Sequence, residues 1–226
     1  MKYPIIGKND LVYSYKEQWF TGFAPCFQDN VFSLACCMGN KDNGGMRRSI
    51  FNHLSNTVWI VSIAGDQIKA NEHNLTNQQY NPGDVIYIAK VASVLTLKDF
   101  RKEYPKRRDA IYKLQNKTII RIPEGDDVHR EEKNRLTDCT IDYPGLNDED
   151  IYNTFEQIVI AEEYYILEAG QQKPIILDIN RNFSFEKNGR DKRVKALSDF
   201  VKECRIAVVS KNPFPNMYET KARGCK

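Results

Sequence analysis

Asn81-Pro-Gly-Asp84, followed by Val85-Ile-Tyr-Ile-Ala-Lys-Val-Ala-Ser-Val-Leu95, is the stretch that decides the fold class. Proline fixes φ near the value that a turn requires and glycine accepts a positive φ, so the first four residues predict a tight turn. The longer run alternates apolar and polar side chains and is rich in β-branched residues, which predicts a strand. A turn that leads into such a strand indicates a protein built on a β-sheet.

Further strands are predicted on both sides of this stretch. Leu11–Tyr15 alternates apolar and polar residues, and Val31–Cys37 is a short apolar run. Val58–Ala64 is β-branched, aromatic and too short for a helix, so we expect it to be a central strand. The glycines and asparagines from Met38 to Gly45 predict a flexible loop.

The second half of the chain mixes helices with strands. Thr96 or Ser93 can cap a helix over Lys98–Tyr104, which Pro105 would end. Asn147–Gln157 has a capping residue, early acids and apolar residues at helical spacing, so it predicts another helix.

The segments that follow complete the set of elements. Ile158–Leu167 fits either a continued helix or strand, and its β-branched and aromatic content favours strand. Apolar residues from Val194 to Cys204 share one helical face, and Ile206–Val209 predicts a closing strand. Ile119–Ile122 predicts a brief strand.

Six or more strands and three helices that do not alternate with them disfavour a doubly wound parallel sheet. We expect an α+β protein with a curved or barrel-like mixed sheet and flanking helices. A PUA-like barrel is the specific form that we consider. No linker divides the chain, so one domain is expected over residues 1–226.

Composition limits the cellular setting. The longest apolar runs fall short of the ~20 residues needed to span a bilayer, and the first residues lack the apolar core of a signal peptide. Six cysteines in a chain without an export signal are expected to be reduced, and the protein is expected to be cytoplasmic with no membrane partner. A net charge of +3 gives no strong preference for a polyanion, so local arginine clusters must carry any such argument.

The common catalytic motifs are absent. The chain has no Walker loop, no dinucleotide-binding glycine motif, no His-Glu-x-x-His and no Gly-x-Ser-x-Gly. Adjacent Cys36-Cys37 and isolated histidines do not have the spacing of a zinc site. Neither a metal nor a particular cofactor is indicated.

Three short blocks close together in sequence form the densest candidate site. They are Gly22-Phe-Ala-Pro-Cys26, Leu34-Ala-Cys-Cys-Met-Gly39 and Gly44-Gly-Met-Arg-Arg48. Cys36 or Cys37 could be a nucleophile if Arg47 or Arg48 lowered the thiol pKa, although a cysteine in an apolar run is more often a core residue. The glycine–arginine loop could close on a phosphate, or it could be a solvated hairpin tip.

These blocks resemble the nucleotide modification associated domain 2 family. The match uses Gly22–Pro25, Leu34–Cys37, Met46–Arg48 and Trp59-Ile-Val61 in order, with further landmarks at Ile86–Val91, Arg108–Tyr112, Val159–Ala161, Tyr164-Tyr165 and Arg223-Gly224. The chain departs from the family at Trp19-Phe20, where many members have an aspartate, and at Cys225, where they have a histidine. The resemblance implies a prokaryotic or viral system that modifies nucleic-acid bases.

A second candidate surface alternates aromatic and positively charged side chains. Tyr104, Arg107, Arg108 and Tyr112 could stack bases and neutralise phosphates, or the tyrosines could pack in the core while the arginines face water. Phe23 or Tyr164 could line a base pocket, although an aromatic residue on a strand usually belongs to the core.

The expected function is a component of a base-modification system that binds or modifies a base or nucleotide. Whether it is an enzyme stays open, and the alternatives are a non-catalytic PUA-like reader of modified or flipped bases or a domain that binds a protein partner. The candidate catalytic residues are Cys36 and Cys37. The candidate nucleotide-binding residues are Gly22, Phe23, Pro25, Cys26, Arg47, Arg48, Arg107, Arg108, Asp109, Tyr112 and Tyr164.

Overall fold

The computed structural model describes residues 3–17, 25–35, 45–66, 68, 79–107, 109–111, 113–120, 145–154, 156–161, 163–170, 183–184, 190–204 and 206–209. Its strands are β1 (Leu11–Glu17), β2 (Cys26–Gln28), β3 (Val31–Leu34), β4 (Val58–Ala64), β5 (Val85–Lys90), β6 (Ser93–Thr96), β7 (Lys113–Gln115), β8 (Thr118–Ile120), β9 (Glu156–Ala161), β10 (Glu163–Leu167), β11 (Phe183–Ser184) and β12 (Ile206–Val209). Its helices are α1 (Gly45–Phe51), α2 (Leu97–Glu103), α3 (Asp148–Thr154) and α4 (Arg190–Val201).

Two sheets face each other across the main core. The larger has the order β11-β1-β4-β5-β10-β12, in which β1 and β4 are parallel and the other pairs antiparallel. The smaller is antiparallel with the order β2-β3-β9-β6, and β7 and β8 form a separate hairpin. The α+β class is confirmed, but neither sheet closes into a barrel within the described ranges. That part of the expectation is wrong because the strands divide between two facing sheets.

Helices cover the outer faces of both sheets. Alternate residues of the larger sheet point away from its partner, where Trp59 and Tyr165 pack against Leu197 and Phe200 of α4. On the outer face of the smaller sheet, Phe100 of α2 and other apolar residues of α2 and α3 cover β9. The layers therefore run α4, larger sheet, smaller sheet, and α2 with α3.

Two chain segments pass from one sheet to the other. The single strand predicted over Val85–Leu95 is in fact β5 in the larger sheet and β6 in the smaller sheet, separated by Val91-Ala92. The pairing survives the crossing, because the Ala92 amide donates to the Ile160 carbonyl at 2.8 Å. β9 and β10 make the same crossing in the opposite direction. An alternating pattern predicts extended backbone but not the corner at which a strand changes sheets.

Helix α1 corrects the prediction for the glycine–arginine segment. A loop was expected up to Gly45 and a phosphate-closing loop at Gly44–Arg48, but residues 45–51 are helical. Met46 and Ile50, four positions apart, are both buried in the core between the sheets. Burial of this apolar face outweighs the low helix propensity of the glycine that begins the helix.

Most other elements follow the sequence-based expectation. Thr96 caps α2 by accepting from the Asp99 amide, and Asn147 accepts from the Asp150 amide at 2.8 Å at the start of α3. Gly83 takes a φ of 95°, as the predicted turn requires. The segments at 158–161 and 163–167 are strands. None of the helices in the described part of the chain is long and apolar enough to cross a membrane.

Candidate functional site

Arg107 is a buried arginine that fastens the loop after α2 to the β2–β3 hairpin. Its Nε donates to Asp109 Oδ1 at 3.0 Å, and the two side chains are 1% and 0% exposed. Its Nη1 donates to the carbonyls of Gln28 and Val31, and its Nη2 donates to Ser33 Oγ at 2.6 Å. Ser33 in turn donates to Asp109. The guanidinium is thus enclosed by acceptors from the hairpin and by the carboxylate of Asp109.

The hairpin that Arg107 holds has a tight two-residue turn. Asp29 and Asn30 have φ values of 56° and 60°, and Gln28 pairs with Val31. Positive φ at both central positions is the type I′ geometry that matches the twist of antiparallel strands, and Asp and Asn tolerate it better than most residues. Arg107 therefore binds the two carbonyls that flank this turn.

Four predicted site residues come together here: Cys26, Arg107, Asp109 and Tyr164. The Cys26 carbonyl accepts from Arg107 Nη2 at 3.4 Å. Burial raises the pKa of Tyr164 well above its usual range, while the positive charge of Arg107 opposes that rise. All four side chains are buried. Their burial makes this cluster part of the internal framework of the fold.

The phosphate contact predicted for Arg107 conflicts with this geometry. A phosphate-binding arginine must present its guanidinium to solvent, whereas this one is enclosed and also packs over the rings of Phe100 and Tyr104, at 5.8 and 5.7 Å from the ring centroids. Tyr104 packs against the core, as the second interpretation expected, but Arg107 is buried and does not face water as that interpretation required. Arg108 and Tyr112 lie outside the described residues.

The two arginines of α1 have different environments. Arg47 is buried, with 3% of its surface exposed, and Arg48 is half-buried with its guanidinium carbon 4.8 Å from the Phe51 ring centroid. Arg48 is therefore the one with accessible surface for a ligand. Gly22, Phe23, Cys36 and Cys37 fall outside the described residues, and Pro25 is buried.

A second buried polar cluster contains an acid that the sequence analysis did not select. Glu17 ends β1 and is 4% exposed. Its Oε2 accepts from Tyr15 OH at 2.8 Å and from Ser62 Oγ at 2.8 Å, and Tyr15 OH also bonds to Tyr87 OH. Burial raises the pKa of Glu17 to about 8, an effect that the two hydroxyl donors only partly offset.

Aromatic rings pack against one another beside this acid. Phe27 lies 5.4 Å from Phe32, 5.4 Å from Tyr87 and 5.1 Å from Tyr164 between ring centroids, and Tyr15 lies 6.2 Å from Tyr87. We call Glu17, Ser62 and these five rings the inter-sheet cluster. The register of β1 could have revealed its acid, because Tyr13, Tyr15 and Glu17 share one face of an alternating strand whose core side is apolar.

A third polar group ties β1 to α1. Tyr13 OH lies 2.9 Å from Ser49 Oγ and 3.1 Å from His53 Nδ1, and that nitrogen lies 2.7 Å from the Ser49 carbonyl. Burial raises the pKa of Tyr13 to about 12, against the lowering effect of the Ser49 hydrogen bond. This tyrosine remains neutral at physiological pH and anchors the helix.

No group of three or more His, Cys, Asp and Glu side chains in the described ranges could hold a metal ion. Cys26 and Cys204 are buried cysteines. No family model, curated protein or solved structure matches the chain.

Proposed function

We propose that this protein binds or modifies a nucleobase or nucleotide as a component of a prokaryotic or viral nucleic-acid base-modification system. The observation that carries the proposal is the inter-sheet cluster, in which five aromatic rings accompany one buried carboxyl group. Proteins that enclose a base use aromatic side chains to stack on its faces and a few polar groups to bind its edge. The cluster supplies both kinds of group.

The position of the cluster in sequence also supports the proposal. Glu17 lies shortly before the Gly22–Pro25 block, and Phe27 follows the block after Cys26. The Gly22–Pro25 block is one of those that carry the resemblance to the nucleotide modification associated domain 2 family. An acid shortly before this block is also a feature of many members, and Glu17 could serve in place of the aspartate missing at Trp19-Phe20.

A non-catalytic reader related to PUA-like barrels is the alternative form of this function. It is favoured by the Arg107 cluster, because there Arg107, Asp109 and Ser33 bond to one another and to the hairpin. That cluster holds the framework of the fold together and does not present a reactive centre. In either form we propose that the protein acts in the cytoplasm.

The test is a binding series followed by fluorescence anisotropy at several salt concentrations. Labelled oligonucleotides with and without modified bases are titrated directly, and nucleotides are added as competitors. We expect binding at low salt that weakens as salt rises. Arg48→Ala should weaken it, whereas Lys98→Ala, which removes an exposed cation on α2, should not. Absence of binding by the unmodified protein to every ligand would overturn the proposal and favour a domain that binds a protein partner.

A further inference from the structure

The backbone groups of β1 alternate between the two sides of the strand. The Leu11 amide donates to the Thr57 carbonyl at 2.8 Å, so the backbone groups of Leu11 face β4. Successive residues of a strand turn their N–H and C=O groups to opposite sides. The backbone groups of Val12, Ser14 and Lys16 therefore lie along the other edge of β1.

Another strand covers only part of this edge. Among the described residues, β11 pairs with Ser14 and Tyr15 and supplies two residues, whereas β1 has seven. A strand edge can pair with a strand of another molecule, and many proteins protect such edges with charged side chains. Lys16 has an exposed charged side chain at one end of this edge. The other end lies at Val12.

Arg193 of α4 covers the Val12 end. Its Nε donates to the Val12 carbonyl at 3.1 Å, and its Nη2 donates to Ser14 Oγ. All three residues are buried, although an arginine is almost never buried without partners. A guanidinium carries five N–H donors in a rigid plane. It can therefore bond to the edge of β1 and to a side chain on the face of β1 at the same time.

Pairing of β1 with the β1 of a second copy shows what this contact prevents. In an antiparallel pair centred on Ser14, the Val12 carbonyl of each copy would accept from the Lys16 amide of the other copy. Such a pair is longer than the two-residue β11 and would replace it. Arg193 already occupies the acceptor at Val12, and two-fold symmetry would place this obstacle at both ends of the pair.

We propose that Arg193 closes the edge of β1 and prevents a second copy of this chain from adding its own β1 to the larger sheet. This inference does not depend on the proposed function, because it concerns the outer edge of the sheet and not the inter-sheet cluster. The bond to Val12 is the one that blocks pairing, since it occupies a backbone acceptor. The bond to Ser14 orients the guanidinium.

Arg193→Gln tests the block, because the shorter side chain cannot reach both Val12 and Ser14. Light scattering during size-exclusion chromatography should show a mass that rises with protein concentration to twice that of the unmodified protein. Lys192→Gln changes the exposed preceding residue of α4 in a comparable way and should keep the mass of the unmodified protein. A folded Arg193→Gln whose mass stays unchanged would overturn the inference.

Amide hydrogen exchange locates the association. In associated Arg193→Gln, the amides of Val12 and Lys16 should exchange more slowly than in the unmodified protein, because each would donate to the other copy. Association that leaves both amides unprotected would arise at another surface. That result would also overturn the inference.

Two further measurements apply if Arg193→Gln does not fold. Arg193→Met keeps more of the buried apolar contact and takes its place in the mass measurement. In the unmodified protein, the Nε hydrogen of Arg193 should exchange roughly tenfold or more slowly relative to free arginine, because it is buried and bonded to Val12. Exchange at the rate of free arginine would show that Arg193 does not hold this edge.

Discussion

Arg107 Nη2 lies 2.6 Å from Ser33 Oγ, although the two residues are 74 positions apart in sequence. The contact joins the loop after α2 to the inner strand of the β2–β3 hairpin. Asp109 completes it by bonding to both. One arginine thus satisfies buried acceptors from two distant parts of the chain, and the hairpin that carries Cys26 depends on it.

We expect Arg107→Met to lower the free energy of unfolding by about 3–5 kcal/mol, because it removes the buried guanidinium that pairs with Asp109. Urea denaturation measures the change. Lys106→Met, at the exposed neighbouring position, should alter stability by no more than about 0.5 kcal/mol. Equal stability of the two variants would show that Arg107 does not hold the hairpin.

Asp109→Asn tests the same pair from the acidic side. Alone it should lower the free energy of unfolding by about 3 kcal/mol or more, because it removes the carboxylate that pairs with the buried Arg107. In the double variant with Arg107→Met, the loss of unfolding free energy should be smaller than the sum of the two single losses. The interaction between Arg107 and Asp109 is already gone after the first change, so the second change cannot remove it again. Additive losses in this double-mutant cycle would contradict the coupling.

The β7–β8 hairpin offers a test of backbone strain. Lys117 has a φ of 60°, and its amide donates to Asp148 Oδ1 at 2.9 Å. Glycine keeps that amide and relieves the cost of a side chain at positive φ, so Lys117→Gly should be more stable than Lys117→Ala by about 1 kcal/mol. Both changes remove the lysine side chain, so the difference reports the backbone alone. Thermal unfolding measures it, and no difference would count against a strained turn.

The pKa of Glu17 predicts how stability depends on pH. Burial raises this pKa in the folded protein from 4.5 to about 8, so the folded state holds the proton more tightly than the unfolded state. The stability linked to this group is complete below about pH 4.5 and is lost as pH rises through about 8, by up to about 1.4 kcal/mol per pH unit.

Glu17→Gln removes that titration. We expect its stability, relative to the unmodified protein, to increase steadily with pH across this window. Urea denaturation of both proteins at intervals of pH provides the comparison, and Glu163→Gln serves as the control for the substitution itself. Parallel stability curves for Glu17→Gln and the unmodified protein would mean that Glu17 ionises normally.

The sequence predicted individual strands and helices better than the way they pack together. Local alternation and capping residues were sufficient to predict β1, β4, α2 and α3, because each of these elements depends on nearby residues. Helix α1 was missed because its stability comes from burying Met46 and Ile50 against both sheets, which outweighs local glycine content. The division of Val85–Leu95 between two sheets was missed because a corner depends on which strands pair on each side of it.

Cys26, Arg107, Asp109 and Tyr164 lie together in the structure, although the sequence analysis placed Cys26 in one candidate site and Arg107 in another. Composition could not show that Arg107 faces inwards, because an arginine and its carboxylate partner two positions away look the same in sequence whether exposed or buried. Glu17 could have been found from the alternation of β1, had the acid been assigned to the inward face with Tyr13 and Tyr15.

The passage of β5–β6 and β9–β10 through both sheets bears on how the protein opens. A sheet that shares no strand with its neighbour can separate from it by sliding, but here two antiparallel segments belong to both sheets and remain paired at the crossing. Separating the sheets must therefore break the Ala92–Ile160 hydrogen bond and disrupt the core on both sides. Slowly exchanging amide hydrogens in β5 and β9 should thus mark a single cooperative unit that spans both sheets.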